Sequence, residues 1–121
     1  MEADVDAVLA RWFTKKYRET AREAIERVRA MILGTDPHGY AGCCAAIRDM
    51  DLRDRLGLIE TPALVVLGTH DPATPPERGQ YIVERIPGAQ KVVLDTAHLS
   101  NIEARDEFNR PVLGFLSGER R

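Results

Sequence analysis

Two short apolar runs, "ALVVLG" at 63–68 and "KVVLD" at 91–95, constrain the fold of this chain more than any other feature. Both are β-branched and neither alternates with polar residues, the pattern of strands covered on both faces of a parallel sheet. Between them lies "TPPERGQYIVERIPG". Thr74 and Glu77 have the spacing of a capping box, and Pro75 suits a first helical position. Gln80 to Arg85 continues as helix, and Pro87 and Gly88 close it. Strand, helix, strand is a βαβ unit, which makes the two strands parallel. Farther on, "SNIE" at 100–103 offers a helix cap at Ser100. A C-terminal helix is expected from about Asp106 to Ser117, with Phe108, Val112, Phe115 and Leu116 on its apolar face. Pro111 is expected to delay or kink its start.

The character changes near "IETP" at 59–62, which divides the chain into a helical segment, 1–60, and an α/β segment, 61–121. In "KKYRETAREAIERVRAMIL", Tyr17, Ala21, Ile25, Val28 and Ile32 recur in steps of three and four, the stripe of one amphipathic helix. Gly34 is its expected C-terminal cap, and Pro37 stops it. A second helix is expected from about Tyr40 to Asp49, and "DLRDRLGLI" adds a short helical turn.

Several function classes are excluded by composition. At 121 residues the chain is one domain or a piece of one. Its 17 Lys and Arg against 19 Asp and Glu leave a net charge of −2, without the basic excess that a phosphate-binding surface needs. No nucleic-acid partner is expected. No apolar run approaches the roughly 20 residues that span a bilayer, and the acidic "MEADVDAVLARWF" does not read as a signal peptide. Neither a membrane partner nor a location outside the cytoplasm is expected. Cys43 and Cys44 are adjacent, and neighbours on a helix point about 100° apart, which suits neither a disulfide nor shared metal ligation. Both are expected to be small buried apolar side chains in a reducing compartment.

Ligands bind beyond the carboxyl ends of the strands in open parallel sheets. Asp71 and His98 each lie a few residues past such an end. Two loops at one sheet edge can bring a carboxylate to an imidazole, where it fixes the tautomer and stabilises the imidazolium formed in general-base catalysis. Taken alone, Asp71 is accounted for by Asp-Pro turn chemistry, and His98 by a cap or core role. The pair at equivalent strand ends points to catalysis. His70 is a poor rival partner for Asp71, because adjacent residues leaving a strand project oppositely. His38, in a loop between helices, reads as a surface residue, or as one facing a substrate pocket if the helical half covers the site.

"TPALVVLGTHDPATPPERGQYIVERIPGAQKVVLDTAHLSNIEARDEFNRPVLGFL" resembles the C-terminal part of an α/β-hydrolase. Gly68, Asp71 and Pro75 match the strand–G-x-x-D-x-x-x-P–helix motif of that family, and His98 falls at its catalytic histidine. "ARWFTKKY" and "GYAGCCAAIRDMDLRDRL" resemble the helical cap of 3-oxoadipate enol-lactonases, which open a lactone ring in the β-ketoadipate pathway of aromatic degradation. The resemblance implies an α/β fold: a cap segment, a βαβ unit and a C-terminal helix. It also implies hydrolysis of a small-molecule lactone or ester without metal or organic cofactor. Arg11 and Trp12 would line the pocket, the first suited to a carboxylate and the second to a flat ring.

One departure matters. The family's G-x-S-x-G nucleophile elbow is missing: the chain's two serines are Ser100 and Ser117, and neither follows a strand. The expectation is a C-terminal portion inactive by itself, with an exposed sheet edge open to the missing N-terminal half or to self-association. A related esterase or perhydrolase, or a non-catalytic interaction module, is the alternative.

Overall fold

The computed structural model describes residues 4–118, so the outer ends of the two expected segments, 1–3 and 119–121, lie outside the described residues. Four helices come first: α1 (Val5–Trp12), α2 (Lys15–Thr20), α3 (Arg22–Leu33) and α4 (Pro37–Asp49). A 3₁₀ segment, Arg53–Leu58, leads to β1 (Leu64–Gly68), α5 (Pro76–Arg85) and β2 (Gln90–Leu94). The chain closes with α6 (Ser100–Glu103) and α7 (Arg105–Leu116). β1 and β2 pair in parallel, with Val66 opposite Val92 and Gly68 opposite Leu94. The fold is α/β, as the two apolar runs imply.

The core is helical. α1 turns Val5, Val8 and Leu9 inward, α3 turns Ile25, Val28 and Ile32 inward, and Phe13 seals the junction at 1% exposure. These spacings of three, four and seven put one apolar stripe of each helix against the other. Phe13 stacks on Tyr17, with ring centroids 5.3 Å apart. Leu99, just before α6, and Ile102, within it, pack on the same cluster and so fasten the α/β segment to the helices.

Several expectations are corrected. The single helix over 15–33 is two, because Ala21 leaves helical geometry at φ −108°, ψ 50°. Nothing local explains that break. The stripe survives it, since Ile25, Val28 and Ile32 are buried and Tyr17 and Ala21 half-buried. α4 begins at Pro37, earlier than expected, because the Asp36 side chain accepts the amides of His38 and Gly39 and proline tolerates a first-turn position. α4 buries no side chain, so Cys43 and Cys44 are free and exposed rather than buried. Two small apolar residues on a helix do not reveal whether anything packs over it.

β2 is covered on one face only among the described residues: Val92 and Leu94 are half-buried, while Val93 is 52% exposed. α7 starts at Arg105 and carries Pro111 inside it, and Leu116, assigned to its apolar face, is exposed. Ser100 does not cap α6; Leu99 holds that position and no side chain bonds there.

Candidate active site

The site begins where β1 stops. Past Gly68 the chain stays in register with the end of β2: the Thr69 amide donates to the Leu94 carbonyl and the His70 amide to that of Thr96, both at 3.0 Å. The two loops therefore leave the sheet side by side. A Cβ on Gly68 would lie 2.3 Å from the Ala97 oxygen and 2.7 Å from that of Thr96. Such distances are not tolerated, so only glycine lets the histidine loop cross so close to β1. That is the physical reason for a glycine three residues before Asp71.

Asp71 is buried, at 8% exposure, and all of its carboxylate is engaged. Oδ1 accepts the amides of Ala73 at 2.8 Å and Thr74 at 3.0 Å, a local turn that holds the side chain. Oδ2 accepts the Thr74 hydroxyl at 2.9 Å and faces His98 Nδ1 at 2.8 Å. The Thr74 hydroxyl is also 3.2 Å from Nδ1. The imidazole is thereby held as the Nδ1–H tautomer, its proton directed at Oδ2, with the hydroxyl as a secondary neighbour. Nε2 has no hydrogen-bond partner among the described residues. His98 keeps about a third of its side chain exposed while Asp71 keeps 7%. An oriented base with a free, accessible nitrogen can take a proton from a group placed against Nε2.

Burial pushes the Asp71 carboxyl up. Hydrogen bonds from His98 and from the Thr74 amide and hydroxyl outweigh it and hold the group below its ordinary 3.8. Asp71 is consequently an anion at neutral pH, as an aligning carboxylate must be.

Of the residues expected at the site, Asp71 and His98 are brought together. His70 is 2.5 Å from Asp95 instead, on the exposed surface, and His38 is exposed. Trp12 is half-buried against the helical core, and its carbonyl accepts the Leu99 amide at 3.0 Å, one residue past His98. Arg11, at the same end of α1, is exposed. Neither serine hydroxyl bonds His98: Ser117 donates to the Gly114 carbonyl at 3.0 Å and Ser100 is buried. Clefts of about 810 and 600 Å³ lie elsewhere, and neither of them is lined by Asp71 or His98.

Sequence reasoning missed Thr74 and Glu103. Thr74 has the spacing of a capping box, yet α5 starts one residue after Pro75 without a side-chain cap. Its four-residue turn with Asp71 was the available signal. Glu103 accepts from Ala97 and Thr14, and no local pattern announces a partner 89 residues away.

No family model matches the chain. "3-oxoadipate enol-lactonase 2" of Acinetobacter baylyi is 36% identical over 102 residues, which cover 84% of this chain and 38% of the relative. The crystal structure of the enol-lactonase from Burkholderia xenovorans LB400 superposes with a TM-score of 0.95 at 44% identity, covering 97% of this chain and 45% of that one. The chain belongs to the α/β-hydrolase superfamily. It corresponds to the C-terminal portion of the α/β-hydrolase fold and spans less than half the length of these relatives. A thermophilic esterase from Thermogutta terrifontis, of the same fold, superposes at a TM-score of 0.88 with 27% identity, over 97% of this chain and 44% of the esterase. Among the described residues, no helix of this α/β-hydrolase is long and apolar enough to cross a membrane.

Proposed function

We propose that Asp71 and His98 are the acid–base half of a serine hydrolase site that cleaves a carboxylic ester or lactone, with 3-oxoadipate enol-lactone as the substrate. The observation that carries this reading is the 2.8 Å contact between His98 Nδ1 and a buried, anionic Asp71, with Nε2 left open. His98 takes the proton of a serine hydroxyl as that oxygen adds to the carbonyl. It then gives the proton to the leaving oxygen, which opens the ring and leaves an acyl-enzyme. A water deprotonated by the same nitrogen hydrolyses the ester, and Asp71 stabilises the imidazolium at each stage. Arg11 engages a substrate carboxylate and Trp12 flanks the ring, roles supported by the end of α1 lying beside the histidine loop.

The serine and its oxyanion hole come from the N-terminal portion of the fold, seated along the free edge of β1. By itself the chain is inactive, since a dyad without nucleophile and oxyanion donors keeps little of the rate advantage. The test joins this chain to the N-terminal portion of the Burkholderia enzyme. The joined protein should hydrolyse the enol-lactone, Asp71→Asn should lower kcat on the order of 10⁴-fold, and the 121-residue chain should not exceed buffer. Hydrolysis indifferent to Asp71→Asn, or turnover by the isolated chain, would refute the reading. The esterase likeness favours a second substrate class, simple carboxylic esters, and their turnover exceeding that of the lactone would select it.

A further inference from the structure

The loop that carries His98 is tied to the helices on both sides of the histidine, and both ties end on the α1–α2 corner. Before His98, the Ala97 amide donates to Glu103 Oε2 at 2.7 Å. The other oxygen of that carboxylate accepts the Thr14 amide at 2.9 Å and, in a very short contact, the Thr14 hydroxyl. After His98, the Leu99 amide donates to the Trp12 carbonyl at 3.0 Å. Tyr17 adds a third strut, its hydroxyl donating to the Ile102 carbonyl at 3.4 Å. His98 therefore hangs between two hydrogen bonds, one ending directly on Trp12 and the other reaching Thr14 through Glu103, in front of a core that includes Phe13.

We infer that Glu103, held by Thr14, is a positioning residue for His98, so that the corner carrying Trp12 and the imidazole that meets the nucleophile move as one piece. This rests on the reading of His98 as the general base. Asp71 alone fixes one ring nitrogen, which leaves the imidazole free to swing about that bond. Fixing the backbone on either side removes the swing, and a displacement of about 1 Å at such a base costs on the order of 100-fold in rate. Glu103 can serve both segments because an ionised carboxylate is acceptor-only on both oxygens. An amide is not. In Glu103→Gln the single oxygen stays with the two Thr14 donors, and the NH₂ meets the Ala97 N–H head-on, donor against donor.

The test is hydrogen exchange by NMR on the isotope-labelled 121-residue chain. Glu103→Gln should speed exchange at the Ala97 amide and at His98 Nδ1–H about tenfold or more, while the Ile25 and Val28 amides and those of the Asp71–Thr74 turn hold their rates. Thr14→Ser, which keeps both donors, should exchange like the unaltered chain. Acceleration at Ala97 with His98 Nδ1–H unchanged would overturn the inference, because Glu103 would then brace the loop without reaching the imidazole. Should Glu103→Gln unfold the chain, seen as fast exchange at Ile25 and Val28, Thr14→Ala decides. It removes one of the three donors, and a severalfold rise at His98 Nδ1–H supports the inference whereas no change overturns it. Asp71→Asn separates the two readings. A His98 Nδ1–H indifferent to Asp71→Asn removes the dyad itself, and one that answers to Asp71 but not to Glu103 removes this inference alone.

Discussion

Asp71 keeps a negative charge in a place that would reject an unpartnered one. Burial works against it, but His98 and the Thr74 amide and hydroxyl hold its pKa below the ordinary carboxylate value, and the consequence is a stability contribution with a definite sign. A group with a depressed folded pKa stabilises fully above its unfolded pKa, about 3.9, and loses that contribution as pH falls through the folded value. Asp71→Asn should accordingly flatten the dependence of Tm on pH below about pH 4. Thr74→Val should cost about 1–2 kcal/mol near neutral pH, and less in acid, where the carboxyl no longer needs the donor. Thermal melts from pH 2 to 7 check both. The meeting of Asp71 and His98 was legible in the sequence because loops leaving neighbouring parallel strand ends run side by side. Thr74 was not, because one hydroxyl faces two possible acceptors and the choice is made in three dimensions. A buried carboxylate outcompetes the exposed first turn of α5, where Glu77 is itself exposed.

At the scale of elements, the close approach at Gly68 and the packing at Gly79 make a matched pair. A Cβ on Gly68 meets fixed backbone oxygens of Thr96 and Ala97, whereas one on Gly79 meets the Leu67 side chain, its Cδ2 at 1.9 Å. A side chain can change rotamer, and a strand end cannot. Gly68→Ala should therefore destabilise by about 3 kcal/mol and pull His98 from Asp71. Gly79→Ala should cost less, since alanine returns up to about 1 kcal/mol of helix propensity. Denaturant unfolding compares the two, and equal losses would contradict this account. The βαβ unit was readable because apolar runs, proline and glycine act locally. The later start of α5 is local too: Pro75 is extended at ψ 153° because a residue before proline avoids helical geometry, so α5 waits for Pro76. The division at Ala21 leaves no signal in the sequence, and the exposure of Cys43 and Cys44 was unreadable because it depends on what packs, or does not pack, against α4.

At the scale of the molecule, the sheet is two strands wide, and β1 offers its outer edge unpaired among the described residues. Large apolar side chains stand exposed on several elements, including Leu58 at 74% and Leu113 at 63%. An open edge with apolar surface favours association. In our reading the N-terminal portion of the fold covers that edge. The isolated chain should consequently gain mass with concentration in light scattering, and the joined protein should remain a monomer across the same range. A chain monomeric at every concentration would argue against the edge as a docking surface.

The central claim is that His98, aligned by Asp71, activates a serine supplied by the rest of the fold. The most direct measurement is the rate at which a fluorophosphonate labels that serine in the joined protein. The account predicts rapid labelling that falls on the order of 10⁴-fold in His98→Ala, with the fold intact by circular dichroism. Labelling at an unchanged rate in His98→Ala would contradict it.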